Sequence, residues 1–333
     1  MRAAAVTENP AMTRPCIDIP FCRVYPFMPH VGVIMKTPKF ALLAFISTLS
    51  LVPQLLSAQE PQHHHDADEK LGIVSFSTSC APAVQPRFER GLALLHSFEY
   101  EVAFGQFEEV AKEDPRCAMA YWGQAMTLYH ELWSRPSKAD LAQGAELLAK
   151  ARSLKPPTAR ERDYILALSV FYSDTDKLDH NRRADAYAKA MQGVHERNPN
   201  DPEAGIFYAL SLLASGPERD PNLTNSKAAV AILNKLYDEQ PTHPGIAHYI
   251  IHGCDNPAMA SLALPAARKY ASIAPSSPHA VHMPSHIFAR LGLWQDDISS
   301  NLAAIRVADS MAAHHHVMHH KVHSMDFLAY AYM

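Results

Sequence analysis

FERGLALLHSFEYEVAFGQFEEVAKEDP, residues 88–115, is the stretch whose reading decides the fold. Its apolar residues recur three and four positions apart, the period of a helix that buries one face. In a 34-residue unit counted from Val84, Gly91 falls at position 8, Leu94 at 11, Ala103 at 20, Phe107 at 24 and Pro115 at 32. Small residues at 8 and 20 let the two helices of one hairpin approach closely. Proline at 32 stops the second helix, because it lacks an N–H and crowds the preceding turn.

Prolines in the same phase follow at Pro156, Pro199, Pro241 and Pro275, spaced 41, 43, 42 and 34 residues apart. Each closes a helix-forming run such as AELLAKARSLKP or AAVAILNKLYDEQP. The longer spacings place insertions, SRPSKAD and SGPERDPNLTNSK, between the helices of a pair. Another unit opens near Pro278, with Gly292 and Trp294 at its turn, and a last one near Val322. Self-similarity of this kind marks a repeat array.

The alternation of small, large, small, large and Pro resembles the tetratricopeptide repeat, over roughly 84–333. Arg87 departs from that pattern at the usual Trp position, and Asp297 and Asn301 stand where a small and a large residue are expected. The resemblance implies an all-α fold, a tetratricopeptide-type superhelix of antiparallel helix hairpins (an α-solenoid). It also implies that the first helices line a concave groove that takes a partner polypeptide or a small ligand.

Composition narrows the function. Thirty Lys+Arg against 34 Asp+Glu give a net charge of −4, without the basic footprint of a nucleic-acid binder. No G-x-G-x-x-G or G-x-x-x-x-G-K run occurs, which argues against dinucleotide and phosphate-loop folds. Met35, Lys36 and Lys39 followed by FALLAFISTLSLVPQLLSA read as a signal peptide over 35–58. Residues 1–34 then read as a spurious upstream extension, 59–83 as a polar flexible leader with His63, His64 and His65, and 84–333 as the array, truncated at Met333. The expected compartment is periplasmic or secreted; the alternative is an uncleaved membrane anchor. In an oxidising compartment Cys80 and Cys117, each just before a helix, are the natural disulfide pair, the alternative being two buried thiols. Cys254 is left over.

Histidine supplies the sharpest functional signal, with 20 in 333 residues. Positions 2, 5, 9 and 12 of a first helix share one face, which the resemblance assigns to the groove. In the last three units these positions are Gly245, His248, His252 and Asp255; His279, His282, His286 and Ala289; and His323, Asp326, Tyr330 and Met333. His248 to His282 and His252 to His286 are both 34 residues, so two H-x-x-x-H pairs occupy equivalent turns of adjacent repeats. Imidazoles so placed can share an ion, with His279, His323, Asp255 and Asp326 completing the shell or orienting its rings. The expected ion is a divalent transition metal, Zn, Fe, Ni or Cu. Two readings follow: an exported scaffold with a His-rich metal site in its groove, or a metal-dependent enzyme, hydrolase- or oxidase-like, with Asp255 or Asp326 as base and Tyr330 as proton donor or oxyanion stabiliser. Hydrogen-bonded or packed histidines are the alternative to a metal site. His96 and His130, also 34 apart, read as packing residues, and the run His314–His316, His319 and His320 as a solvated helix start.

Overall fold

The computed structural model describes residues 69–214, 219–311 and 318–333, and these are helical, with no strand among them. The upstream extension, the signal pattern and the leader up to 68 with His63–His65 lie outside the described residues. So do part of the second insertion and His314–His316. No helix among the described residues is long and apolar enough to cross a membrane.

The helices are α1 (Gln85–His96), α2 (Tyr100–Glu113), α3 (Ala118–Thr127), α4 (Lys138–Ser153), α5 (Ala159–Phe171), α6 (His180–Arg197), α7 (Pro202–Leu213), α8 (Thr224–Glu239), α9 (Pro244–Cys254), α10 (Leu264–Ile273), α11 (Pro278–His282), α12 (Pro284–Arg290), α13 (Trp294–Met311) and α14 (Met318–Tyr332). Each packs on its neighbour in sequence, and the first helices of successive pairs also pack side by side. That is the layout of an α-solenoid.

Local chemistry sets the helix ends. α2, α4, α6, α8 and α10 stop two or three residues before Pro115, Pro156, Pro199, Pro241 and Pro275. Ser137 caps α4 in a reciprocal box with Asp140, while Thr158 caps α5 and Asp179 caps α6. Pro202, Pro244 and Pro278 sit in the first turns of α7, α9 and α11, where an N–H has no partner anyway. The unit from Pro278 was expected to open with one helix. Pro284 divides it into α11 and α12, because its ring cannot continue the ladder. Gly91 and Gly123 both lie under the Phe107 ring, where an added Cβ would meet it at 3.0 and 2.6 Å. This is the close approach that the repeat phase demands.

The inner face is closed rather than open. Phe88, Trp122, Tyr164 and Phe207 stand at equivalent positions of α1, α3, α5 and α7, and all are buried. Trp122 packs edge-on against Tyr164 and Phe207 at 5.6 and 5.5 Å. α1 also packs directly on α9. Gly245 permits that contact, since a Cβ there would lie 2.6 Å from Nδ1 of His96.

The expectation of a flexible leader fails over 69–79. This segment is an extended strap crossing the starts of the first helices. Lys70 exchanges hydrogen bonds with Ser276, the Ile73 N–H donates to the Thr242 carbonyl, and Ser79 N–H donates to Glu161. Phe76 is fully buried among Phe88, Trp122 and Tyr164, with the Arg160 guanidinium 3.9 Å from its ring centre. A polypeptide entering this part of the groove would have to displace the strap.

Cys80 and Cys117 form the expected disulfide, tying the end of the strap to the start of α3 with Cα atoms 4.7 Å apart. Cys254 is a buried free thiol whose pKa burial pushes up to about 11, so it is inert. The bridge spans 37 residues, for which the chain-entropy argument gives about 4 kcal/mol. A Cys80→Ser/Cys117→Ser variant is therefore expected to unfold in urea with about 3–4 kcal/mol less stability than the oxidised protein. An unchanged midpoint would show that the strap needs no staple.

Candidate metal centre

Six histidines from four helices gather at the C-terminal end of the array. They form two trios: His248, His252 and His279, and His282, His286 and His323. Within each trio one ring nitrogen per residue lies within 4.8 Å of the others. In the first, Nε2 of His248 is 3.1 Å from Nε2 of both His252 and His279. In the second, the Nε2 atoms of His282 and His286 are 3.1 Å apart. Two nitrogens at that separation, each 2.0–2.1 Å from one ion, subtend about 100° at it, near the tetrahedral angle.

Tautomers can be read from the other ring nitrogen of three of these residues. His248 Nδ1 lies 2.6 Å from the carbonyl oxygen of His96, so it must carry the proton and donate. His282 Nδ1 lies 2.6 Å from Asn301 Oδ1. The orientation of that amide is fixed, because its Nδ2 donates to the side chain and carbonyl of Asp297. His286 Nδ1 donates to Asp255 Oδ2 at 2.9 Å, and Arg290 Nε holds the other carboxylate oxygen at 2.8 Å. In its neutral form each of the three rings presents a bare Nε2 atom.

For His282 and His286 this has a sharp consequence. Their Nε2 atoms face each other at 3.1 Å, and a cation between them, either a metal ion or a proton held beside Asp255, makes the arrangement favourable. In the first trio His252 and His279 are free to donate to His248. The Nδ1 of His279 is nevertheless buried without a partner.

Burial favours the neutral form, the state a metal requires, at five of the six rings. His248, His279 and His282 are pushed well below the ordinary histidine value, mainly by burial and then by neighbouring imidazoles. His252 and His323 are pushed to about 3, again by burial first and then by His286. Burial works to raise Asp255, but its bonds to His286 and Arg290 hold it well below the usual carboxylate range. Phe98 closes the first trio from above, with its ring centre 4.3 Å from that of His248 and its backbone in the left-handed region at φ 58°. That conformation is costly for a bulky side chain, and it sits directly against the cluster.

A third group, His96, Glu203 and His243, is also compact and buried. It differs in its proton accounting. Nε2 of each imidazole donates to one oxygen of Glu203, at 3.0 and 2.8 Å, and the Tyr249 hydroxyl donates to Nδ1 of His96. A carboxylate with two N–H donors needs no ion, so this group serves as a lock between α1, α7 and the start of α9.

Several sequence-based assignments are corrected. Of the two roles expected for Asp255, ligand or orienting group, it takes the second, holding Nδ1 of His286. Asp326 is exposed and belongs to neither trio. The inward face of α14 carries His320, His323, Ser324 and Phe327. His323 completes the second trio as His279 completes the first, the place its position in the repeat gives it, while Tyr330 packs near Trp294, 5.9 Å between ring centres. His320 is no solvated residue but a buried partner of Glu99 at 3.2 Å. Sequence reasoning missed the roles of Asn301 and Asp297, although their departure from the repeat pattern marked them. It also missed Glu203, which had no such mark.

No family model matches the chain, and no curated protein matches it in sequence.

The unfolded chain binds protons near pH 6.5 that the folded imidazoles of His252 and His323 refuse until about 3. Stability of the metal-free protein is therefore complete above about pH 6.5 and lost as pH falls from there toward 3. Urea midpoints measured between pH 7 and pH 5 should decline steadily. A flat profile would mean that these rings titrate freely in solvent.

Proposed function

We propose that the chain is an exported metalloprotein of the tetratricopeptide-repeat type, holding two first-row transition-metal ions, one in each histidine trio. The observation that carries this reading is the pair of Nε2 atoms of His282 and His286, 3.1 Å apart and aimed at each other by Asn301 and Asp255. Orienting a ligand through its second nitrogen is how proteins commonly prepare imidazole for metal. The disulfide is consistent with export.

Three ligands per ion leave open coordination positions, so a small ligand at the metals is the occupant we favour over a polypeptide in the strap-filled groove. Between the two chemistries considered for an enzyme, hydrolysis lacks an unengaged carboxylate beside the ions. Asp255 is bound on both oxygens and Asp326 points elsewhere. Redox chemistry needs no such base.

The test is metal analysis of the full chain purified without a histidine tag. Two equivalents are expected, falling well below one in a His252→Ala/His286→Ala variant whose helical circular dichroism is retained. Metal-free wild-type protein after growth and dialysis with Zn and Cu salts would overturn the reading. Asp255→Ala should bind metal about 10–100-fold more weakly, because His286 then loses its orienting acceptor. Unchanged affinity would show that the Asp255 contact is only structural.

A further inference from the structure

We propose that the two trios form one dinuclear copper centre whose ligand is dioxygen, bound between the ions. This rests on the metal-binding reading above and goes beyond it in the identity of the ion, the coupling of the sites and the ligand.

The six rings are a single layer rather than two islands. His279 and His282 lie three residues apart on α11, yet each serves a different trio, with ring centres 6.0 Å apart. His252 and His286 face each other across the boundary at 6.2 Å. Those cross-boundary separations fall inside the range found within the trios, 4.5 Å for His282 and His323 up to 6.4 Å for His252 and His279. The proposed centre places the two ions at the separation of about 3.5–4 Å at which two metals share one ligand.

Charge then selects the ion. Every nitrogen offered is a neutral imidazole, and no carboxylate or thiolate belongs to either trio. The nearest anion, Asp255, is already balanced by Arg290. Two divalent ions would place four positive charges in a buried site without an anionic protein ligand, which is costly in a medium of low polarity. Two cuprous ions halve that charge and accept three-coordinate imidazole sites. Copper also heads the affinity order of the divalent series for such donors. When the pair is oxidised, the added charge calls for an anion between the ions, and the unfilled positions are there to receive it.

The step balances without protons. Two Cu(I) each give up one electron, O₂ takes both, its O–O bond order falls from two to one, and the resulting peroxide dianion bridges two Cu(II). His252 and His323, the half-buried members of each trio, mark the side from which a small molecule reaches the ions. Trp133 and Phe327 flank His323 there, with ring centres 5.1 and 5.2 Å from it.

The full chain is loaded with Cu(I) without air, dialysed, analysed for copper and exposed to a measured amount of oxygen. Copper content, oxygen uptake and the integrated electron paramagnetic resonance signal are then read on the same sample. Two coppers per chain, one O₂ consumed per pair and less than about a tenth of the spins expected for two isolated Cu(II) are the predicted result. A His323→Ala variant should retain one copper and show a full one-spin signal once oxidised. Two coppers whose oxidised signal integrates to two spins would overturn the dinuclear proposal and leave the metal-binding reading standing. Wild-type protein that retains no copper but binds two zinc ions would overturn the choice of ion alone, and protein that retains neither metal would overturn both readings.

Discussion

Three oxygen atoms decide which way the central imidazoles face: the carbonyl of His96, the amide of Asn301 and the carboxylate of Asp255. Each takes the Nδ1 proton of one histidine, and each thereby leaves a lone pair on Nε2. Imidazole is ambivalent, since either nitrogen can carry the proton. Removing that ambivalence at three rings turns a group of packed aromatic side chains into a set of converging donors. Without those acceptors the same six histidines could satisfy one another through N–H···N bonds and have no use for a cation.

One of the three acceptors ties the site to the closure of the array. His96 ends α1, some 150 residues before His248, and reaches it only because α1 packs on α9. Gly245 makes room for that approach, and the Glu203 network locks it with two N–H donors on one carboxylate. The same closure presses Phe98 onto His248 and buries that ring, which pushes its pKa well below the ordinary histidine value. Fold and site are therefore one construction: separating α1 from α9 would release a tautomer, hydrate the imidazoles and admit protons together.

The helix hairpins, their ends and their insertions were legible because proline and small residues act locally, on the turn in which they stand. The H-x-x-x-H pairs were legible because a 34-residue period carries equivalent side chains to equivalent places. Asn301 and Asp297 were visible only as departures from the pattern, and the structure supplies the reason: a large apolar residue at Asn301 could not accept the His282 proton. In α14 the repeat position of His323 was legible, since it completes the second trio as His279 completes the first, whereas Asp326 was placed inward and is exposed. The strap was misread because its short polar residues hide three apolar ones, Leu71, Val74 and Phe76, which bury themselves against helices far along the chain.

By itself, then, the sequence determined the repeat, the cysteine pair and the histidines that would share a face, since periodicity and helix termination are properties of neighbouring residues. Only the tertiary structure decided that the array closes, that the leader folds over it and that oxygen acceptors from α1, α9 and α13 aim the rings. Those are contacts between residues up to about 200 positions apart, such as Lys70 with Ser276, and no local pattern encodes which distant oxygen will face which imidazole.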